Sequence, residues 1–183
     1  MTEPQDGDAA PDETLPWSVT VDPDALGPDE RAVTLQPDAS ARAAIAARLG
    51  VDGVLALRGD LTVAPTRDGV HVRGALTARL ARTCVASLEP MTEAIEEAID
   101  LAFSKAVDED WTPPADEAFD LDDLSVESLP EGPLDLAEIL VQHLALSMAA
   151  HPRRADADAF VDKYASDHAI SPFAGLKDAI KQS

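Results

Sequence analysis

Leu55-Ala56-Leu57-Arg58-Gly59-Asp60-Leu61-Thr62-Val63, followed by Val70-His71-Val72-Arg73-Gly74-Ala75-Leu76-Thr77-Ala78-Arg79-Leu80, is the stretch that decides the fold. Leu55, Leu57, Leu61 and Val63 alternate with Ala56, Arg58, Asp60 and Thr62. Beyond Pro65-Thr66-Arg67-Asp68-Gly69, the residues Val70, Val72, Leu76, Ala78 and Leu80 alternate with His71, Arg73, Thr77 and Arg79. A period of two over both arms, interrupted by turn-forming residues, predicts a long antiparallel hairpin with one apolar and one wet face. Pairing Val63 with Val70, Leu61 with Val72 and Leu57 with Leu76 places the apolar residues together and sets Asp60 opposite Arg73. Gly59 then faces Gly74, and two missing side chains allow sharp coiling, so the sheet is expected to curl toward a barrel.

Outward from the hairpin, strands are expected at Trp17 to Val21 and Arg31 to Leu35. Asp38 reads as an N-cap and Gly50 as the residue beyond a helix C-terminus, which defines an Ala-rich helix with Ile45 and Leu49 turned inward. Residues 91–107 carry two readings. Their Ala and Glu content and the Ile95, Ile99, Phe103 spacing favour a helix, yet Met91, Ile95, Ile99, Leu101, Phe103 and Val107 share odd parity, as a strand would. Residues 108–131 hold ten acids and no base and read as a solvated loop. Asp135 caps a second helix through Leu136, Ile139, Leu140, Leu144 and Met148, with Glu138 placed for a capping box and a stop near Pro152. The expected organisation is a disordered acidic tail over 1–14, one α+β domain over 15–155 with the acidic loop 108–131, and a C-terminal tail over 156–183. The fold class is α+β: a curled, mainly antiparallel and barrel-like sheet with two principal helices and flexible acidic segments.

The chain has 183 residues, 45% of them apolar but only 4% aromatic, so the core must be small and built from Val, Leu, Ile and Ala. Its formal charge is −21, which excludes non-specific nucleic-acid binding by the whole surface. The charge is unevenly spread. Residues 31–82 carry eight Arg against four Asp, while residues 83–150 carry seventeen acids against Lys105 alone. Screening over roughly 8–10 Å lets such a basic block act locally within an acidic chain. A single cysteine, Cys84, excludes a disulfide framework and a four-cysteine metal site. No secretory signal is recognisable and the apolar run from Leu136 to Ala150 is too short to span a bilayer, so a cytoplasmic protein with no membrane partner is expected.

Arg58, His71, Arg73 and Arg79 project from the wet side of the hairpin, with Arg82 just beyond and Arg42 and Arg48 on the adjacent helix. Guanidinium forks suit phosphate oxygens, and alternate strand positions space them roughly 6.5–7 Å apart. The competing reading is that these arginines only neutralise the surrounding acids. No aromatic residue lies in the block, so base-specific readout of single strands is disfavoured, and contact with structured RNA through phosphate and shape is the form that survives. Cys84 has no recognisable catalytic partner among the four His, the acids from Asp116 to Asp123 lack the pattern of a calcium loop, and no phosphate-binding loop or nucleophile elbow occurs. No enzymatic activity, metal, cofactor or small-molecule substrate is expected. The acidic loop supports a rival from another class, a chaperone that holds a basic ribosomal protein before assembly.

Three separated segments together resemble the YceD family, the large ribosomal RNA subunit accumulation proteins, in their alphaproteobacterial form. They are Arg82-Thr83-Cys84-Val85-Ala86-Ser87-Leu88-Glu89-Pro90; Leu134-Asp135-Leu136-Ala137-Glu138-Ile139 through His151-Pro152-Arg153-Arg154; and Ser171-Pro172-Phe173-Ala174-Gly175-Leu176-Lys177. The resemblance implies a non-enzymatic role in 23S ribosomal RNA processing or accumulation, and a β-rich amino-terminal half that tips residues after Pro90 toward a strand. Its motif positions here are Cys84, Leu88, Glu89, Pro90, Asp135, Glu138, Pro152, Arg153, Ser171, Pro172 and Phe173. Many relatives carry a second cysteine where this chain has Ser87, so no metal site is carried over.

Overall fold

A computed structural model describes residues 16–105 and 126–159. The elements are β1 (Thr20–Val21), a 3-10 turn (Pro23–Ala25), β2 (Arg31–Leu35), α1 (Ala39–Leu49), β3 (Gly53–Pro65), β4 (Gly69–Thr83), β5 (Pro90–Ser104), β6 (Val126–Ser128), β7 (Leu134–Asp135) and α2 (Leu136–Ser147). A five-stranded sheet runs in the order β2-β3-β4-β5-β6, and β1 pairs antiparallel with β7 in a separate ribbon. The class is α+β and the sheet mostly antiparallel, with one parallel pair where β6 lies along β5. β2 and β6 remain as edges, so the sheet is not a closed barrel. β6 also corrects the reading of 108–131 as loop throughout, and residues 106–125 lie outside the described chain.

Among the described residues, two compact units are distinguished: 16–81 with 92–105 and 126–148, and 82–91 with 149–159. In the first, one sheet face is apolar. Leu57, Leu61, Val63, Val70, Val72, Leu76, Ala78 and Leu80 of the hairpin join Leu35, Ile45, Ile99, Phe103 and Leu136, Leu140 and Leu144 of α2 in one buried cluster. Fully burying each such Leu or Val stabilises the fold by about 1.5–3 kcal/mol. Both helices begin, and α1 ends, as the sequence directs; α2 stops at Ser147 with Met148 already extended, short of the stop expected near Pro152. The Asp38 carboxylate accepts from Ala41 N at 2.8 Å, and Gly50 closes α1 with φ 63°, a conformation that favours glycine. Asp135 Oδ1 accepts from Ala137 N at 2.9 Å and from Val19 N at 3.2 Å, tying the start of α2 to the chain before β1. The capping box does not close by a reach of Glu138 back to the cap, because the Glu138 carboxylate is held by Arg48 of α1, with both contacts at 2.6 Å.

The hairpin forms with a tighter turn than the sequence suggests. Thr66 N donates to Gly69 O at 3.0 Å, so the chain reverses over Arg67 and Asp68, and Pro65 and Gly69 belong to the strands. The register moves by two residues: Val63 pairs with Val72, Leu61 with Gly74 and Gly59 with Leu76. A slip of two preserves which face each side chain takes, so the core is as expected while the partners across it are not. Gly59 therefore does not face Gly74. A Cβ at Gly59 would stand 2.5 Å from Leu140 Cδ1, and one at Gly74 2.1 Å from the Asp60 carbonyl, so the first glycine seats α2 and the second lets β3 approach. The alternation also breaks once, at a bulge between Val54 and Ala56. Val54 takes the inward place opposite Leu80, and Leu55, expected inside, is 52% exposed.

β5 is a strand despite its local helical propensity. Ile95, Ile99 and Phe103 are its buried residues, a spacing compatible with either structure. Its place beside β4 satisfies the backbone as a strand and overrides the propensity. Trp17 to Val21 contributes strand only at Thr20–Val21, although Trp17 and Val19 still pack against the core.

Candidate nucleic-acid interface

On the solvent face of the sheet, a groove of about 510 Å³ crosses β3, β4 and β5. Ala56, Arg58, Thr77, Arg79, Ala94 and Glu96 come from the outward positions of these strands, while Gln36, Arg42 and Leu55 rise at its side. Register explains the gathering of arginines. Ala56 faces Arg79 and Arg58 faces Thr77, so Arg58 and Arg79 are diagonal neighbours, roughly 7–8 Å apart at the backbone. Arg42, in the first turns of α1, donates one Nη to Pro37 O at 3.0 Å. Arg79 has no hydrogen bond or ion pair among the described residues. Arg58 is held on its own strand: Nε and one Nη contact the Asp60 carboxylate at 2.6 and 2.7 Å, and Thr34 Oγ1 donates to the same carboxylate at 2.8 Å. These hydrogen bonds, first that from Arg58, hold the Asp60 carboxyl below the usual carboxylate range.

The other expected members of the arginine face lie elsewhere or are occupied. Asp60 does not pair with Arg73, because the two-residue slip puts Thr62 opposite Arg73; Arg73 instead contacts Glu30 at 3.0 Å. His71 Nε2 meets the Asp100 carboxylate on β5. Arg48 forms a two-pronged pair with Glu138 of α2 and does not join the groove; that contact holds the Glu138 carboxyl low. Leu55 was hidden from a reading by simple alternation. The visible signal is that Val54 and Leu55 are adjacent apolar residues, which one strand face cannot accommodate without a bulge.

The second unit brings two of the quoted segments together. Leu88 N donates to Cys84 O and Cys84 N to Glu89 O, both at 2.9 Å, closing a tight turn with Leu88 at φ 59°. Residues 149–156 bind its flank: Val85 N donates to Pro152 O at 3.0 Å, Arg82 to Ala149 O at 3.2 Å, and Arg154 to Glu89 Oε2 at 2.7 Å. Arg154 also holds Asp156 with two contacts at 2.9 Å, and Arg153 reaches Asp158 at 3.4 Å. Cys84, Pro152 and Ala157 are buried, whereas Leu88, Glu89 and Pro90 are exposed. The Cys84 thiol accepts from the Ser87 hydroxyl and from backbone N–H groups including that of Arg154, which lower its pKa from 9.0 to about 7. These donors can hold a thiolate in place; no general base stands with them among the described contacts. Among the described residues no three His, Cys, Asp or Glu side chains gather as a metal-binding group. Asp135 and Glu138 act in the fold as cap and ion-pair partner, and Ser171, Pro172 and Phe173 lie outside the described residues. No helix of the described residues is long and apolar enough to cross a membrane.

Comparison of the chain with family models, curated proteins and solved structures finds no match in any of the three.

Proposed function

We propose that this protein is a non-enzymatic factor of ribosome biogenesis, of the YceD type, that supports 23S ribosomal RNA processing or accumulation through local contact with RNA. The observation that carries the reading is the groove on the sheet face, where Arg42, Arg58 and Arg79 converge in a chain of net charge −21. Attraction for phosphate is thereby concentrated at the groove, and repulsion from the many acids elsewhere disfavours indiscriminate binding. The three quoted sequence segments add the ribosomal direction. RNA crosslinked to the protein in cells and sequenced is expected to be enriched in large-subunit ribosomal RNA. Random recovery of messenger RNA, or recovery of a basic ribosomal protein without RNA, refutes the proposal and favours the acidic chaperone.

A further inference from the structure

Leu55 is a large apolar side chain that the fold pushes out of its core. The bulge between Val54 and Ala56 interrupts the β3–β4 ladder and turns Leu55 outward, leaving it 52% exposed. Bulges of this kind re-aim a side chain, and this one aims Leu55 into the wall of the groove that also holds Arg42, Arg58 and Arg79. Gln36 and Thr77, both exposed, line the same groove, and none of its lining residues among those described is aromatic. Ala56 and Ala94, whose side chains are short, also line it, as does the acidic Glu96.

We infer that Leu55 is a shape-reading residue which makes this groove select duplex RNA over single-stranded RNA. The inference rests on the RNA-binding reading of the groove and names the form of RNA it takes. A single strand binds proteins chiefly by stacking its bases on aromatic side chains, which the groove does not offer. An A-form duplex presents a wide, shallow minor groove flanked by phosphates and lined with ribose 2′-hydroxyls. Leu55 fits the ribose and base edges of that surface as an apolar probe, Arg42, Arg58 and Arg79 meet the flanking phosphates, and Gln36 and Thr77 supply hydrogen bonds to 2′-hydroxyls. Within the patch Arg79 is the cation with no acidic partner among the described residues, Arg58 is shared with Asp60, and Glu96 also lines the groove; the adjoining His71 and Arg73 are engaged by Asp100 and Glu30.

The test measures binding of the full chain to a mixed-sequence RNA duplex of about 16 base pairs and to one of its strands alone. The wild type is expected to prefer the duplex. Leu55→Ser should weaken duplex binding about tenfold, from loss of the half-exposed side chain's contact area. Its salt dependence and thermal unfolding should match the wild type, since no charge and no core group is removed. Leu55→Met, which keeps the apolar volume, should retain duplex affinity. Equal wild-type affinity for duplex and strand, or unchanged duplex affinity in Leu55→Ser, overturns the role of Leu55 while leaving the RNA-binding groove standing. Failure of the wild type to bind either RNA overturns both.

Discussion

Replacing Arg79 by Ala and, separately, Asp60 by Asn should move RNA affinity in opposite directions. Arg79 has no partner among the described residues to release, so its removal costs one phosphate contact and little else. If Arg42, Arg58 and Arg79 each neutralise one duplex phosphate, log K falls against log salt with a slope of about −2.7, so a fourfold rise in salt weakens binding roughly 40-fold. Arg79→Ala should reduce the slope to about −1.8 and that loss to roughly 12-fold. Asp60 acts in the other sense, because its carboxylate holds two of the three Arg58 nitrogens and repels an approaching phosphate. With the phosphate about 6 Å from the carboxylate across the guanidinium, Coulomb's law in water gives roughly threefold tighter binding for Asp60→Asn. Neither change should disturb folding, since Arg58 and Asp60 are about half exposed and exposed pairs contribute little. Fluorescence anisotropy of a labelled large-subunit ribosomal RNA fragment at 50 to 200 mM salt, roughly the fourfold range used above, reads both effects. An unchanged slope in Arg79→Ala, or weaker binding in Asp60→Asn, refutes the groove as the phosphate site.

Three further outcomes follow from the packing and the ion pairs. Glu138→Gln should lower stability at neutral pH by about 0.5–1 kcal/mol, measured by urea unfolding. Because Arg48 holds the folded Glu138 carboxyl below its ordinary value of 4.5, that difference should persist above this value and vanish as pH falls through and below it. Gly74→Ala should cost more than Gly59→Ala, about 3 against about 1–2 kcal/mol, because a Cβ at Gly74 meets backbone and one at Gly59 meets the end of a Leu side chain. Leu140→Ala introduced as well should relieve the second clash and not the first. Thiolate absorbance of Cys84 should titrate near pH 7, and Ser87→Ala should move the midpoint upward by removing its main hydrogen-bond donor; an unmoved midpoint would refute that assignment.

The readable parts of the fold were those specified by local chemistry. Asp38, Gly50 and Asp135 mark helix ends because their side chains or backbone freedom satisfy groups within a turn or so of themselves. Face assignment in the hairpin was equally legible beyond the bulge at Val54/Ala56, since parity survives any even slip, but the bulge inverted it at Leu55. Register was not, because it depends on how tightly residues 65–69 close, and apolar partners two residues apart look alike from either side. The helical propensity of residues 91–104 misdirects for the same reason: the deciding partner, β4, lies outside the window. In the candidate site, the residue types of the arginine face were visible, but which of them stay available depends on Glu30, Asp100 and Glu138, placed by the tertiary fold. Arg73, His71 and Arg48 are taken by acids outside the groove, while Arg42, Arg58 and Arg79 converge there, Arg58 paired with Asp60 on its own strand and Arg79 with no partner among the described residues.

The cysteine turn also imposes an order on synthesis. Its clamping partners lie far downstream: Arg154 is 70 residues beyond Cys84 and 65 beyond Glu89, and Ala149 is 67 beyond Arg82. The β3–β4 hairpin closes over a few residues and can form as soon as it clears the ribosome, whereas the turn must wait. At translation rates of 5–20 residues per second, that wait lasts roughly 3–14 s. During it, Cys84 lacks the Arg154 amide and the cover of residues 149–157, so the one thiol of the chain is open to reaction only while the chain is being made. Once Pro152 and Arg154 arrive, the Arg154 amide joins Ser87 in lowering its pKa and the same segment covers it, so its chemical vulnerability becomes a property of nascent chains rather than of the finished protein.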